Sequence, residues 1–275
     1  MIIDGHAHAC GVYLTESSIK QHLSKNGIDM VVLSGGEPGS NKNYAYPMFS
    51  NIFKSEKLIY FFNKIICTVT RFNNIAEHID EQNEIVARLC EKSPDMIINT
   101  YWINPNDSNC LEKLKANHSK YNFKMLKLHQ CWTNFDINCA SCNEIFSWAQ
   151  ENNMPVFIHF ISHQQVVLFA DMANHFSNTK FIVAHMIGAD YLNNVLKYKN
   201  VYFDLSAPQL YSIDILKRAI RNFGVDRLVL GSDTPYGRNN INKILSRLRK
   251  LSLSNQDIDL ISGENLEKLL SLKKL

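Results

Sequence analysis

His6-Ala7-His8, two histidines one residue apart, follow the short apolar run Ile2 to His6. Side chains two apart on a strand share a face, so both imidazoles can reach one site. Three later apolar runs also end in polar groups: His159 near the end of Val156 to Phe160, His185 closing Lys180 to His185, and Asp233 after Leu228-Val229-Leu230-Gly231-Ser232. Imidazoles gathered with a carboxylate suit zinc or a similar first-row divalent metal that keeps an open position for water. In Phe157-Ile158-His159 and Val183-Ala184-His185, alternation places the histidines on one face and leaves the neighbouring residues for the helix layer. In Lys124-Met125-Leu126-Lys127-Leu128-His129, Lys127 and His129 face the same interior if Leu126 and Leu128 face helices. A desolvated lysine has a lowered pKa. Lys127 could be carboxylated and bridge two metals, remain an amine that orients an anionic substrate, or pair with Asp4 or Asp233.

The elements that must position these groups recur eight times, each a short β-rich run followed by a longer helical stretch. The runs are Ile2 to His6, Met30 to Ser34, Met96 to Tyr101, Lys124 to His129, Val156 to Phe160, Lys180 to His185, Val201 to Leu205 and Arg227 to Ser232. Strands alternating with helices imply parallel pairing, and eight such units predict an α/β fold of the closed (β/α)₈ TIM-barrel type. Closure brings the eighth strand beside the first, and Asp233 beside His6 and His8. Trp102, Trp132 and Glu37 follow the third, fourth and second strands, where they either contact substrate or fill the rim. His129 and the two tryptophans are the candidate substrate-pocket residues.

One interval is too long. The surplus, about residues 35–75, carries eight aromatic residues from Tyr44 to Phe72, and Ile59, Phe62, Ile66 and Val69 recur at helical spacing. The reading is a single domain over 1–275 with an aromatic-rich helical insertion after strand 2. That insertion is either a lid or pocket wall, or a helix packed beside the barrel or in a homodimer contact.

With 29 basic and 26 acidic residues the formal charge is +3, and 45% of the chain is apolar and 20% charged. A near-neutral balance without basic blocks argues against nucleic acid as a partner. No run of about 18 apolar residues is present to span a membrane, and the first residues lack a secretory pattern, so the expectation is a cytoplasmic protein. Seven scattered cysteines read as reduced thiols. Cys139-Ala-Ser-Cys142 has no second pair to make a structural zinc site.

On Asp4-Gly5-His6-Ala7-His8, Lys127-Leu128-His129, Ile158-His159, Ala184-His185, Leu230-Gly231-Ser232-Asp233-Thr234-Pro235-Tyr236 and Gly263-Glu264-Asn265-Leu266, the chain resembles the amidohydrolase superfamily, in its amidohydrolase-related branch. The resemblance implies a divalent metal, usually zinc, held by His6, His8, His159 and Asp233. It implies for His185 either a second metal, together with Lys127, or a catalytic role. Metal-activated water would then attack an amide, lactone or ester bond of a small molecule. Asp233 would carry the proton, His185 would stabilise the oxyanion, and Lys127, as an amine, would bind a substrate carboxylate. The same branch resembles metal-dependent decarboxylases of aromatic or muconate-like acids, which is the rival reading. A non-catalytic metal-binding protein is a third, and requires the open position to be blocked, for instance by Cys10.

Overall fold

The computed structural model describes residues 1–52, 54–55, 57–72 and 74–272. Eight strands, β1 (Ile3–His8), β2 (Met30–Ser34), β3 (Ile97–Trp102), β4 (Met125–His129), β5 (Val156–His159), β6 (Phe181–Val183), β7 (Val201–Asp204) and β8 (Leu228–Val229), lie parallel in the order of the chain. The sheet closes on itself: Gly5 N donates to Leu230 O (2.9 Å), Asp233 N to His6 O (2.7 Å) and His8 N to Thr234 O (2.9 Å). The result is a (β/α)₈ TIM barrel. Its helices are α1 (Glu16–Asn26), α2 (Lys57–Phe72), α3 (Ile79–Lys92), α4 (Cys110–Tyr121), α5 (Gln130–Thr133), α6 (Ala140–Glu151), α7 (His163–His175), α8 (Ala189–Val195), α9 (Ile213–Phe223), α10 (Asn240–Arg249), α11 (Asn255–Asp259) and α12 (Asn265–Leu269). Several begin where a hydroxyl satisfies an orphan amide: Thr15, Ser162, Ser212 and Ser254 accept from the backbone N–H three residues on. Among the described residues no helix is long and apolar enough to cross a membrane.

Strand alternation sorts the core into two regions. Leu126, Leu128, Val156, Ile158, Phe181 and Val183 pack outward with helix residues such as Leu114, Ile145 and Phe169. Ile3, Val32, Ile98, Met125, Phe157, Ile182 and Val229 fill the barrel, joined by Leu266 and Leu269 of α12. Lys127 and His129 share the face of Met125, and His159 that of Phe157, so these three point inward as the alternation predicts.

Two site histidines arrive differently. The register between β1 and β2 shifts between Asp4 and Ala7, and this bulge lets Ile3 and His6, three residues apart, both serve the interior. β1 also runs through His8, beyond the end expected at His6. β6 stops at Val183, and Ala184 belongs to the interior cluster, so strict alternation would send His185 outward. A left-handed backbone at His185 (φ 54°) turns it back. The expected shared strand parity of His159 and His185 is therefore corrected: a turn, not alternation, delivers His185.

The long connection after β2 contains α2, and its buried positions are Ile59, Asn63, Cys67 and Thr70. The stripe read from sequence is thus rotated, since Phe62 and Ile66 are half-buried and Val69 is exposed. Hydrogen bonds decide the rotation: Asn63 Nδ2 donates to Phe160 O (2.7 Å) and Thr70 Oγ1 to Cys131 O (2.8 Å). Of the aromatic residues in this segment, Phe53 lies outside the described residues.

Candidate metal and active site

At the C-terminal mouth of the barrel, Asp233 Oδ1 lies 3.6 Å from His6 Nε2 and 3.4 Å from His8 Nε2, while its Oδ2 lies 4.0 Å from His185 Nε2. Hydrogen bonds on the far side of each ring set this orientation. His8 Nδ1 donates to Gly35 O (2.7 Å), leaving Nε2 with its lone pair. His6 Nδ1 lies 3.2 Å from Asp204 Oδ2 and 3.0 Å from Ser206 Oγ. His185 Nδ1 lies 2.8 Å from Ser206 Oγ, which itself donates to Asp204 Oδ2. The three Nε2 atoms therefore gather around the Asp233 carboxylate. Asp204 also gathers with His6 and His185 as a second group of donor atoms, but it sits on the Nδ1 side of both rings, where it orients them.

Local backbone makes the convergence possible. Asp233 has a left-handed φ of 58°. At Gly231 a Cβ would overlap Asp204 Oδ1 and come within 3.0 Å of His6 Cβ, so only glycine lets the β8 end approach so closely. Asp4, fully buried beneath, accepts from Ser232 N (2.7 Å), Ser232 Oγ (2.6 Å) and Tyr13 Oη (3.0 Å), fixing the turn that carries Asp233. Burial pushes the Asp4 carboxyl up to about 7.

Burial holds His6, His129 and His159 well below the usual imidazole range, aided by the nearby Lys127 charge. They are kept neutral, the form that binds a metal. Burial also lowers the Lys127 ammonium to about 7. Its Nζ lies 2.7 Å from His6 Nε2 and 4.0 Å from the centre of the Phe157 ring. Lys127 thus meets His6, not Asp4, and it does not line the cavity above.

His159 stacks on His129 at 4.2 Å and stands edge-on to His185 at 4.9 Å. Its Nε2 donates to Asn63 Oδ1 of α2 (3.0 Å), and the buried Nδ1 atoms of both His159 and His129 have no hydrogen-bond partner among the described residues. His6, His8 and Asp233 come together as a compact donor group, all within 4.8 Å of one another. His159 adjoins that group without joining it.

Above the site is a cavity of about 310 Å³ lined by His8, His129, His159, His185 and Asp233 below, and by Trp132, Tyr44, Tyr46, Phe49, Phe62, Ile66, Val69 and Tyr236 around it, with Glu37, Asn63 and Gln209 as polar points. The apolar stripe of α2 faces this space. The expected pocket residues His129 and Trp132 line it. Trp102 is corrected: it is buried behind Trp132, 4.7 Å from it ring to ring, and clamped through its backbone by Asn83.

Sequence reasoning missed Asp204, Ser206 and Asn63. Asp204 ends the apolar strand Val201–Asp204, the same polar-strand-end signal that singled out His159, and could have been found by it. Asn63 gives no such signal, because one amide within an apolar helix reads as a solvent-facing residue.

A parallel eight-stranded barrel with imidazole and carboxylate side chains gathered at the carboxyl ends of its strands belongs to the class of barrels that place their active sites at that face. The model of the Amidohydrolase family matches residues 67–272, and the chain belongs to that family. The matched stretch includes His159, His185 and Asp233 but begins after His6 and His8, which the closed barrel brings to the same place. No curated protein matches the chain by sequence. Among solved structures it is similar to 2,6-dihydroxybenzoate decarboxylase from Rhizobium (TM-score 0.69, 14% identity, 98% of each chain covered). It is also similar to a probable 2-pyrone-4,6-dicarboxylic acid hydrolase from Acinetobacter baumannii (TM-score 0.67, 15% identity, 98% of this chain and 99% of that one). A third is dihydroxybenzoic acid decarboxylase from a Polaromonas species with bound manganese and 2-nitroresorcinol (TM-score 0.69, 14% identity, 100% of this chain and 98% of that one). At these identities the likeness shows the fold.

Proposed function

We propose that the chain is a metal-dependent hydrolase that cleaves an amide, lactone or ester bond of a small, flat molecule bound in the aromatic cavity. The observation that carries the reading is the gathering of the His6, His8 and His185 Nε2 atoms around Asp233 at the floor of that cavity. The donor set fits a divalent cation: imidazoles, with His6 kept neutral by burial, a carboxylate, and beside them the buried Nδ1 atoms of His129 and His159 without partners among the described residues. His6, His8 and Asp233 would hold it, with His159 and His185 at hand, and zinc is the first ion to try. When bound, such an ion supplies Lewis acidity and eases deprotonation of water.

The chain's own residues do the rest. Asp233, part-exposed to the cavity, accepts the proton of the attacking water and returns it to the leaving group. His185, its Nδ1 on Ser206, offers Nε2 as the neighbouring proton carrier. Asp204 and the Gly35 carbonyl hold His6 and His8 in the tautomers the site needs. Trp132, Phe62 and Ile66 exclude water and fix a planar substrate by contact.

A second reading, decarboxylation of an aromatic acid, draws on the aromatic walls of the cavity and on the decarboxylases among the structural neighbours. One experiment addresses both. Metal-reconstituted protein is offered a panel of aryl lactones, amides and esters beside aromatic acids, and products and carbon dioxide are measured. Hydrolysis that falls by about 10²-fold or more in Asp233→Asn with metal retained supports the proposal. Carbon dioxide release with no hydrolysis of any member replaces it with the second reading, and hydrolysis unchanged in Asp233→Asn refutes the role of Asp233.

A further inference from the structure

Glu37 stands at the cavity mouth beyond β2, half-buried, with its carboxylate fastened by two phenols. Tyr44 Oη lies 3.1 Å from Oε1 and 3.0 Å from Oε2, and Tyr236 Oη donates to Oε1 at 3.1 Å. The rings behind these phenols form a continuous wall. Tyr46 stacks on Tyr44 at 6.0 Å, Tyr44 on Tyr236 at 5.4 Å, and Tyr236 stands edge-on to His8 at 5.3 Å. Glu37 is therefore one tyrosine removed from the metal-ligand candidates, and it lines the same cavity.

An ionised carboxylate accepts hydrogen bonds at about four lone-pair sites, and the two phenolic hydrogens do not fill them. Acceptor sites remain for a ligand, and Glu37 lines the cavity. No lysine or arginine is among the described residues lining that space, and none forms an ion pair with Glu37 among the described residues. A carboxylate held rigidly in an aromatic wall, with no cation supplied by the described residues, is complementary to a cation on the ligand. The charge meets Glu37 directly, and the tyrosine faces attract it further. A ligand carboxylate in the same position would instead face a like charge.

We propose that Glu37 determines specificity, selecting substrates with a protonated amine on the end of a flat apolar body opposite the bond that reacts, and rejecting those with a carboxylate there. This rests on the reading of the cavity as the substrate site of a metal-dependent enzyme.

The test uses zinc-reconstituted protein and benzohydroxamate, whose hydroxamate anchors to metal, together with its aminomethyl, hydroxymethyl and carboxy derivatives at the meta and para positions. Dissociation constants are measured by calorimetry, so no turnover is needed. The better aminomethyl isomer is expected to bind about tenfold tighter than its hydroxymethyl counterpart, as befits one charge-assisted contact, and tighter still than the carboxy compound. In Glu37→Gln that preference is expected to vanish, while zinc content and the affinity for plain benzohydroxamate hold. The wild-type series stands as a test without the variant. Equal affinities across the series, a tightest carboxy compound, or an amine preference that survives in Glu37→Gln overturns the role of Glu37 alone. Failure of plain benzohydroxamate to bind zinc-loaded protein overturns the functional reading and this inference with it.

Discussion

Asp204 is fully buried and touches no part of the cavity, yet the geometry gives it control over the metal-ligand candidates. Its Oδ2 lies 3.2 Å from His6 Nδ1 and 3.3 Å from His185 N, and its Oδ1 accepts from Ser206 N at 3.0 Å. Asp204→Asn keeps the shape and replaces one acceptor oxygen with a donor NH₂, so one group that now donates to Asp204 must face another donor. Metal affinity is expected to fall about 10- to 100-fold, the usual consequence of losing an orienting partner behind a ligand, or about 1.4–2.7 kcal/mol. The metal-free protein is expected to lose about 1–3 kcal/mol, the cost of a buried group left without its partner. Affinity is read by competition with a fluorescent chelator, and stability by urea unfolding of the chelator-treated protein. A variant with the wild-type metal affinity and a lowered urea midpoint would show that Asp204 is only structural, and the orientation argument would fail.

Asn63→Ala leaves the buried His159 Nε2–H without its acceptor and should cost about 1–3 kcal/mol in urea unfolding; an unchanged midpoint would show that α2 does not anchor that ring. Asp4 supplies a pH prediction. Its folded pKa of about 7 lies above the ordinary carboxylate value, so the folded state binds the extra proton. The associated stability is complete below about pH 4 and is lost as pH rises through 7. The Asp4 contribution therefore weakens metal-free protein by up to about 3 kcal/mol between pH 5 and pH 8, while the depressed His6, His129, His159 and Lys127 act in the opposite direction. The stability of wild type relative to Asp4→Asn should fall by that amount across the window, and a pH-independent difference between the two proteins would contradict it. Cys139, at the start of α6, has its thiol lowered to about 6, chiefly by a hydrogen bond from Cys142. Iodoacetamide at pH 7, followed by peptide mass mapping, should label Cys139 ahead of the similarly part-exposed Cys90, whose thiol burial raises; equal labelling would count against the assignment.

Much of this molecule is legible in its sequence because two simple periodicities carry it. Alternation in Met125-Leu126-Lys127-Leu128-His129 places Lys127 and His129 inside, and barrel closure places Asp233 beside His6 and His8. What could not be read is what breaks those periods. The bulge in β1 depends on pairing with β2, and the left-handed turns at His185 and Asp233 occur at residue types that tolerate a positive φ better than most but adopt it in only a minority of cases, so nothing marks these two in advance. The orientation of α2 is set by hydrogen bonds from Asn63 and Thr70 to backbone far away in sequence, so hydrophobic spacing alone could not choose between a pocket wall and a helix packed beside the barrel. Trp102 and Trp132 illustrate the same limit, since both follow strands but only one reaches the open space.

The central claim is that His6, His8 and Asp233 form one metal site. It is tested most directly by elemental analysis of protein purified under metal-replete conditions, alongside His8→Ala. The account predicts about one equivalent of a divalent first-row metal in the wild type, or two if the His185 side also fills, and loss of that metal in the variant. Wild-type protein without metal, or full occupancy in His8→Ala, would contradict it.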